Sequence, residues 1–424
     1  MIPTATEAAR RIADGDLTAE AYLRACLDHV AAREPAVRAF AAIDTGATLR
    51  SARGLDAGPA RGPLHGIPFA VKDVIDTADL PTGMGSSIWN GHRPRVDAAC
   101  VALSRAAGGV MLGKTVTAEL AYVSPGATTN PHDAAHTPGG SSSGSAAAVA
   151  AGMVPLALGT QTGGSVLRPA SFCGVVGLKP SFGAIPRPGM KLMADSLDTI
   201  GLMARTVEDA ALFLAVLTAD PPEPLPDIPA PRIGLCRTAL WELAQPAARE
   251  AVEDAARRLE AAGATLRDVS LPPDFAGLTE ARVTINDHEI ARALADEWTN
   301  HREGLSERLA ATVEKGRAIP RTAYAAAQGA AEFARARFPD AMAGCDALLT
   351  LGAAGEAPEG LASTGDSRFQ GLWTLLHGPA IGLPTHRGPK GLPVGVQLVA
   401  PRHADRRLLA VARWAMDRLG SPFA

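Results

Sequence analysis

Apolar residues change their spacing along this chain, and each change marks an element. Leu23, Cys26, Leu27 and Val30 recur at three- and four-residue intervals, which predicts an amphipathic helix within a helical first sixty residues. Thr4, three residues before Glu7, has the form of a capping box. From Gly62 the pattern shifts to short continuous apolar runs bounded by turn residues, at 66–71, 109–113 and 175–178. Such runs predict strands buried on both faces. Thr206 with Asp209 opens a further helix through Leu214 and Leu217, and a proline-rich stretch at 221–231 predicts a linker or a long surface crossing. Beyond it the pattern predicts a strand at 232–236, then an amphipathic helix at 246–263 closed by a glycine. Several helices follow over 275–340, then strands at 347–350, 380–383 and 394–399, and a last helix over about 404–419. Strands alternating with helices predict an α/β fold with a largely parallel or mixed sheet. In such folds the chemistry sits on loops at strand ends.

Composition narrows the class. The 424 residues suit two or three domains or one large α/β unit, and 47% hydrophobic with 20% charged residues excludes a disordered chain. Lys+Arg 41 against Asp+Glu 44 gives a net charge of −3, so neither nucleic acid nor an anionic membrane surface is an expected partner. Aromatic residues at 4% argue against stacking platforms for bases or sugars. Five widely spaced cysteines suit free, mostly buried thiols in a reducing compartment. The N-terminus shows no basic segment followed by an apolar one, and the longest apolar stretch, 146–158, is too short to span a bilayer. The expectation is a soluble, cytoplasmic protein.

Three segments carry candidate chemistry. Lys72 ends the apolar run 67–71, in a chain with six lysines against 35 arginines. A lysine drawn into an apolar site loses proton affinity, because desolvation disfavours its charged form, and the neutral amine can act as a base. Read alone, the same lysine suits a strand end that snorkels to water or pairs with Asp73. Gly139 to Ser145 forms a Gly/Ser loop that runs straight into the alanine-rich stretch after it, so it reads as a helix entry with exposed N–H groups rather than a linker. It contains a literal G-x-S-x-G, Gly140 to Gly144 around Ser142, the form of a nucleophile elbow. Gly163-Gly164-Ser165 allows a row of N–H groups to face one way, beside either a nucleophile or a simple turn. Arg168 follows, and its planar fork suits a carboxylate. No histidine or cysteine cluster has metal-ligand spacing, no Walker A sequence occurs, and no metal or cofactor is expected.

Together these segments resemble the amidase signature family. Residues 62–73 are similar to its lysine motif, 137–145 to its Gly/Ser motif, and 159–165 through 173–180 to its nucleophile motif. Weaker matches at 195–199 and 391–397 extend the likeness, whereas about 220–345 carries none. The resemblance implies one amidase-signature domain over 1–424, an α/β fold with a central mixed β-sheet covered by helices on both faces, catalytic core motifs within 62–200, and a variable, mostly helical region at 220–345 that shapes the substrate pocket. It implies a Lys-Ser-Ser triad: Ser165 as nucleophile, Ser141 as proton relay after a cis peptide at Gly140, and Lys72 as the ultimate base. The N–H groups of Thr162, Gly163, Gly164 and Ser165 would form the oxyanion hole. The acyl-enzyme would be hydrolysed to acid and ammonia, and a homodimer is implied.

The departures bear on substrate. Many members have Asp at the place of Gln161 and Arg two residues after the nucleophile, whereas here position 167 is Leu and the Arg is 168. This arrangement is similar to malonamidase, in which that Arg binds a free carboxylate. The expected substrate is therefore a small carboxylated amide such as malonamate, with Arg168, Gln161 and Gly140 beside it; a structural Arg168 is the alternative. An allophanate or biuret hydrolase and a broad-range amidase are rivals on the same fold. The amidating component of the glutamyl-tRNA amidotransferase is disfavoured, since the chain reads as self-contained and short for it. A second class is a Ser-His-Asp esterase centred on Ser142 and recruiting His377 or His403. A non-catalytic binding protein would need a broken triad, and all three positions are intact.

Overall fold

The computed structural model describes residues 2–423. Helices α1 (Ala5–Ala13) and α2 (Ala19–Val37), strand β1 (Phe40–Ala42) and helix α3 (Thr45–Asp56) build the N-terminal part. Thr4 caps α1 as its spacing predicts, its hydroxyl accepting from the Glu7 N–H at 3.2 Å. Strand β2 (Pro68–Lys72), helix α4 (Ala99–Ala106), strand β3 (Val110–Thr115), helix α5 (Ser143–Ala150), strand β4 (Leu156–Gln161), helix α6 (Leu167–Cys173) and strand β5 (Val176–Lys179) follow. Next come β6 (Thr199–Ala204), α7 (Val207–Thr218), β7 (Arg232–Leu235), α8 (Pro246–Ala261) and β8 (Thr265–Asp268). Four helices succeed them: α9 (Leu278–Ala293), α10 (Ala295–Asn300), α11 (Glu307–Ala318) and α12 (Arg321–Ala341). The chain ends with β9 (Ala347–Leu351), α13 (Arg368–Leu375), β10 (Ala380–Arg387), β11 (Pro393–Val399) and α14 (Asp405–Leu419).

All the strands join one sheet in the order β1-β3-β2-β4-β6-β5-β10-β11-β9-β7-β8. It is mixed: β2 runs parallel to both β3 and β4, and β7 to both β8 and β9, while the strands between β4 and β9 pair antiparallel. Helices flank it, as the alternation of elements predicts. The central strands β2, β4, β6 and β11 are buried along their whole length. This is why their sequences read as continuous apolar or small-residue runs rather than as alternation. The stretch 220–345 is not helical throughout, since it also supplies β7 and the exposed edge strand β8. No helix among the described residues is long and apolar enough to cross a membrane.

Two features of this topology position the site. Because β2 and β4 are parallel neighbours, with Val71 opposite Leu158, their C-terminal ends lie side by side. Lys72 therefore emerges next to Thr160 and the loop that follows Gln161. Helix α5, entered from the Gly/Ser loop, packs on β4, and α6 starts just beyond that same loop.

The N-terminus is tied to this frame by one carboxylate. Asp209, in the first turn of α7, accepts from the Ala5 N–H at 3.0 Å, the Thr6 N–H at 2.8 Å and the Thr6 hydroxyl at 2.8 Å. It thereby satisfies the free donors at the start of α1. Asp209→Ala should lower unfolding stability by roughly 1–3 kcal/mol, the range for hydrogen bonds to a buried charged group, as read from urea unfolding.

Candidate active site

Lys72 is fully buried at the end of β2. Its Nζ lies 2.8 Å from Ser141 Oγ and 2.7 Å from Thr160 Oγ1, with the Thr160 carbonyl at 3.5 Å. No carboxylate among the described residues pairs with it. The adjacent Asp73 is instead 3.0 Å from Lys114 of β3. Burial pushes the Lys72 amine well below its usual range; the nearby Asp198 charge opposes this and Arg168 adds to it. A lysine held by two hydroxyls and no anion is thus poised as a neutral amine.

Ser141 follows a cis peptide bond from Gly140. Its carbonyl accepts from the Ala118 N–H at 3.1 Å. The neighbouring Ser142, the nucleophile of the esterase alternative, is buried with its hydroxyl held by Thr160: it donates to the Thr160 carbonyl and accepts from the Thr160 N–H, each at 3.2 Å. No histidine among the described residues bonds it. His377 instead bonds the Ser196 carbonyl at 2.7 Å and stacks on Phe182. The G-x-S-x-G match also has a packing reason, because a Cβ on Gly144 would meet the Ala39 carbonyl and lie 2.5 Å from the Val116 nitrogen. This glycine lets α5 begin against two other chain segments.

The loop after β4 is polarised. The Gly163 carbonyl accepts from the Thr374 hydroxyl at 2.8 Å, the Gly164 carbonyl from the Arg168 N–H at 2.9 Å, and the Ser165 carbonyl from the Ser142 N–H at 3.2 Å. The N–H groups of Thr162, Gly163, Gly164 and Ser165 donate to no acceptor among the described residues. All four residues line a cavity of about 360 Å³. With its carbonyls tied outward and its donors free, the loop offers a concave anion site. Ser165, at 8% exposure, lines the same cavity; among the described residues its hydroxyl makes no hydrogen bond, so no direct bond joins it to Ser141.

Gln161 corrects one expectation. It is fully buried and does not line the cavity. Its carbonyl oxygen accepts from the Val166 and Leu167 N–H groups at 2.9 and 3.0 Å, and its amide donates to Thr374 at 3.0 Å. Its side chain is committed to holding the loop from beneath. Gly140 is likewise outside the cavity lining, its carbonyl accepting from Arg168 Nη2 at 2.6 Å. Arg168 does reach the cavity, at 2% exposure, but much of its fork is committed. Nε donates to the Thr364 carbonyl at 2.6 Å and Nη2 also to the Thr364 hydroxyl at 3.1 Å, leaving only Nη1 unpartnered.

Some site residues were not singled out in the sequence. Thr160 supplies a second hydroxyl to Lys72. Asp198 anchors the loop by accepting from the Thr162 hydroxyl while binding the Met193 and Ala194 N–H groups at 2.6 and 3.1 Å. Burial raises its carboxyl to about 6. The weak motif at 195–199 was its only signal. Arg282 and Asn286 of α9 and Lys315 of α11 also line the cavity, from the stretch in which the sequence shows none of the three motifs.

This geometry has relatives. The family described as Amidase matches residues 21–409. The chain belongs to the amidase family. The A-type component of the glutamyl-tRNA(Gln) amidotransferase of Oleidesulfovibrio alaskensis is 35% identical over 474 aligned positions, covering 98% of this chain and 97% of the relative. Among solved structures, an amidase matches with a TM-score of 0.92 at 31% identity, covering 99% of this chain and all of that one. The native peptide amidase from Stenotrophomonas maltophilia matches with a TM-score of 0.84 at 29% identity, covering 99% and 97%. The protein is accordingly an amidase-family enzyme that acts on amides, and its mixed α/β architecture is that of the solved relatives.

Within this amidase the loop's shape depends on an absent side chain. A Cβ on Gly164 would run into the Gln370 side-chain oxygen. Gly164→Ala should lower amide kcat/KM by about 10²-fold through displacement of the loop, and adding Gln370→Ala should restore part of it. Steady-state assays of both variants would show this; no recovery in the double variant would contradict the steric explanation.

Proposed function

We propose that this amidase hydrolyses a small free amide carrying a carboxylate, through an acyl-enzyme on Ser165. The observation that carries the reading is the buried Lys72 amine, bonded to Ser141 and Thr160 and free of any carboxylate among the described residues. A neutral Lys72 accepts the Ser141 proton as Ser141 accepts that of Ser165, whose oxygen attacks the amide carbon. Ser141 is bonded to Lys72 beforehand; the Ser165 link closes as substrate settles, as catalytic hydrogen bonds often do. The developing oxyanion takes the free N–H groups of Thr162 to Ser165, where one such donor is typically worth about 10²–10³ in rate. The C–N bond breaks as the proton returns through Ser141 to the leaving nitrogen, which departs as ammonia. Water, activated along the same path, then releases the acid.

The cationic groups in the cavity, Arg168 and Arg282, support an anionic substrate such as malonamate. A second reading rests on the full-length likeness to the amidotransferase component: this chain would then act on an amide only within a multi-protein complex. Ammonia release by the purified chain from malonamate, neutral aliphatic amides, biuret and allophanate separates the readings. Turnover of malonamate by the chain alone supports the proposal; activity confined to biuret or allophanate selects the rival hydrolases, and silence on every amide favours the amidotransferase reading.

Lys72→Met and Ser165→Ala should each lower kcat by about 10³-fold or more while circular dichroism stays native. The pH profile carries the sign. Because Lys72 must be neutral, kcat/KM should rise with pH along an acid limb and then level. The Asp198 anion favours the protonated lysine, so Asp198→Asn should move that limb to lower pH. A limb moving to higher pH in Asp198→Asn would remove Lys72 from the base role.

A further inference from the structure

The cavity holds two arginines, and they differ in how much of each is already used. Arg168 gives Nε and Nη2 to the Thr364 and Gly140 groups, so it braces the wall between the Gly/Ser loop and residue 364. Arg282, on α9, is 9% exposed and has no hydrogen-bond or ion-pair partner among the described residues. The acids near it are engaged elsewhere. Asp287 is 2.8 Å from Lys315, and Asp366 is 2.7 Å from Arg368. The Tyr122 hydroxyl is bonded to Thr312 at 2.9 Å.

The position of this guanidinium is built rather than incidental. A Cβ on Gly371 of α13 would lie 2.6 Å from Arg282 Nε and 3.2 Å from its Cζ, so the absent side chain there makes room for the flat group. On its other side, Nη1 lies 3.8 Å from where a Cβ on Gly163 would stand, beside the row of free N–H groups. A largely buried guanidinium without a directly paired carboxylate is unfavourable, and a carboxylate presented by a ligand lowers that cost while matching the fork with two hydrogen bonds.

The geometry points to Arg282 as the residue that binds the substrate's carboxylate and sets the preference for short carboxylated amides, with Arg168 contributing only its Nη1. This rests on the amide-hydrolase reading and deepens it. Since Arg282 sits beside Gly163, the bound carboxylate lies close to the oxyanion site, which suits one carbon between carboxylate and amide rather than a long chain. The anchor thus comes from α9, outside the segments that carry the family motifs.

The test compares malonamate with propionamide, which is similar in size but neutral, in the wild type and in Arg282→Met and Arg282→Lys. Arg282→Met should raise KM for malonamate at least 30-fold more than for propionamide, and Arg282→Lys should recover part of the difference. Calorimetry adds a readout without turnover: Ser165→Ala should bind malonate, and Ser165→Ala with Arg282→Met or Arg282→Gln should bind it at least tenfold more weakly. Equal kinetic losses on both amides, malonate binding indifferent to Arg282, or a wild type that turns over propionamide and not malonamate would each overturn the assignment. If the wild type releases ammonia from neither amide but malonate binding still depends on Arg282, the hydrolase reading falls and the anion site stands.

Discussion

The structure depends on one desolvated amine. An ammonium taken out of water without a counter-charge is costly, and the usual remedy is a carboxylate alongside it. Here that remedy is withheld. Lys72 ends a strand whose residues are all buried, between two other buried strands, and the one acid adjacent in sequence is drawn to Lys114. What surrounds Nζ is a pair of hydroxyls, from Ser141 and Thr160. The less costly response to burial is to shed the proton, which leaves a neutral amine facing a serine hydroxyl.

A similar allocation of partners shapes the loop after β4. Its carbonyls are bound from outside by Thr374, Arg168 and Ser142, and its turn is held from below by Gln161. Its N–H groups are left to the cavity. The tethers hold the free donors in place, as the proposed oxyanion role requires. Asp198 contributes twice, fixing Thr162 at the loop's start and lending a nearby negative charge to the lysine's surroundings. Arg168, Arg282 and Lys315 add cationic groups to the cavity lining, beside Asp287.

Much of the frame was legible along the chain. The apolar runs at 66–71, 109–113, 175–178 and 394–399 became β2, β3, β5 and β11, because strands buried on both faces must be apolar throughout. Strand β4 escaped, since Leu156-Ala157-Leu158-Gly159-Thr160-Gln161 trades apolar bulk for small and polar groups where it meets the site. Strand β8 escaped for the opposite reason: an exposed edge carrying Thr265, Arg267 and Asp268 needs no apolar signature. The motif residues Lys72, Ser141 and Ser165 all reached the end of the sheet where β2 and β4 finish. The resemblance puts Gln161 and Arg168 beside substrate; only the packing shows that the side chain of the first is tied into the loop and that most of the fork of the second is already bonded. Arg282 carried no local signal at all, being one arginine among 35 on a helix with unremarkable spacing.

The sequence by itself determined the α/β alternation, the buried strands, the capped helices and the three segments that carry the chemistry, because each is written in neighbouring residues. The pairing of β2 with β4, the choice of Lys114 as partner for Asp73, and the meeting of α9 with the Gly163 loop were decided only by the tertiary structure. Those choices join residues tens to more than a hundred positions apart. Which polar group finds a partner and which is left facing a cavity is a competition among distant segments, settled by geometry that no local pattern encodes.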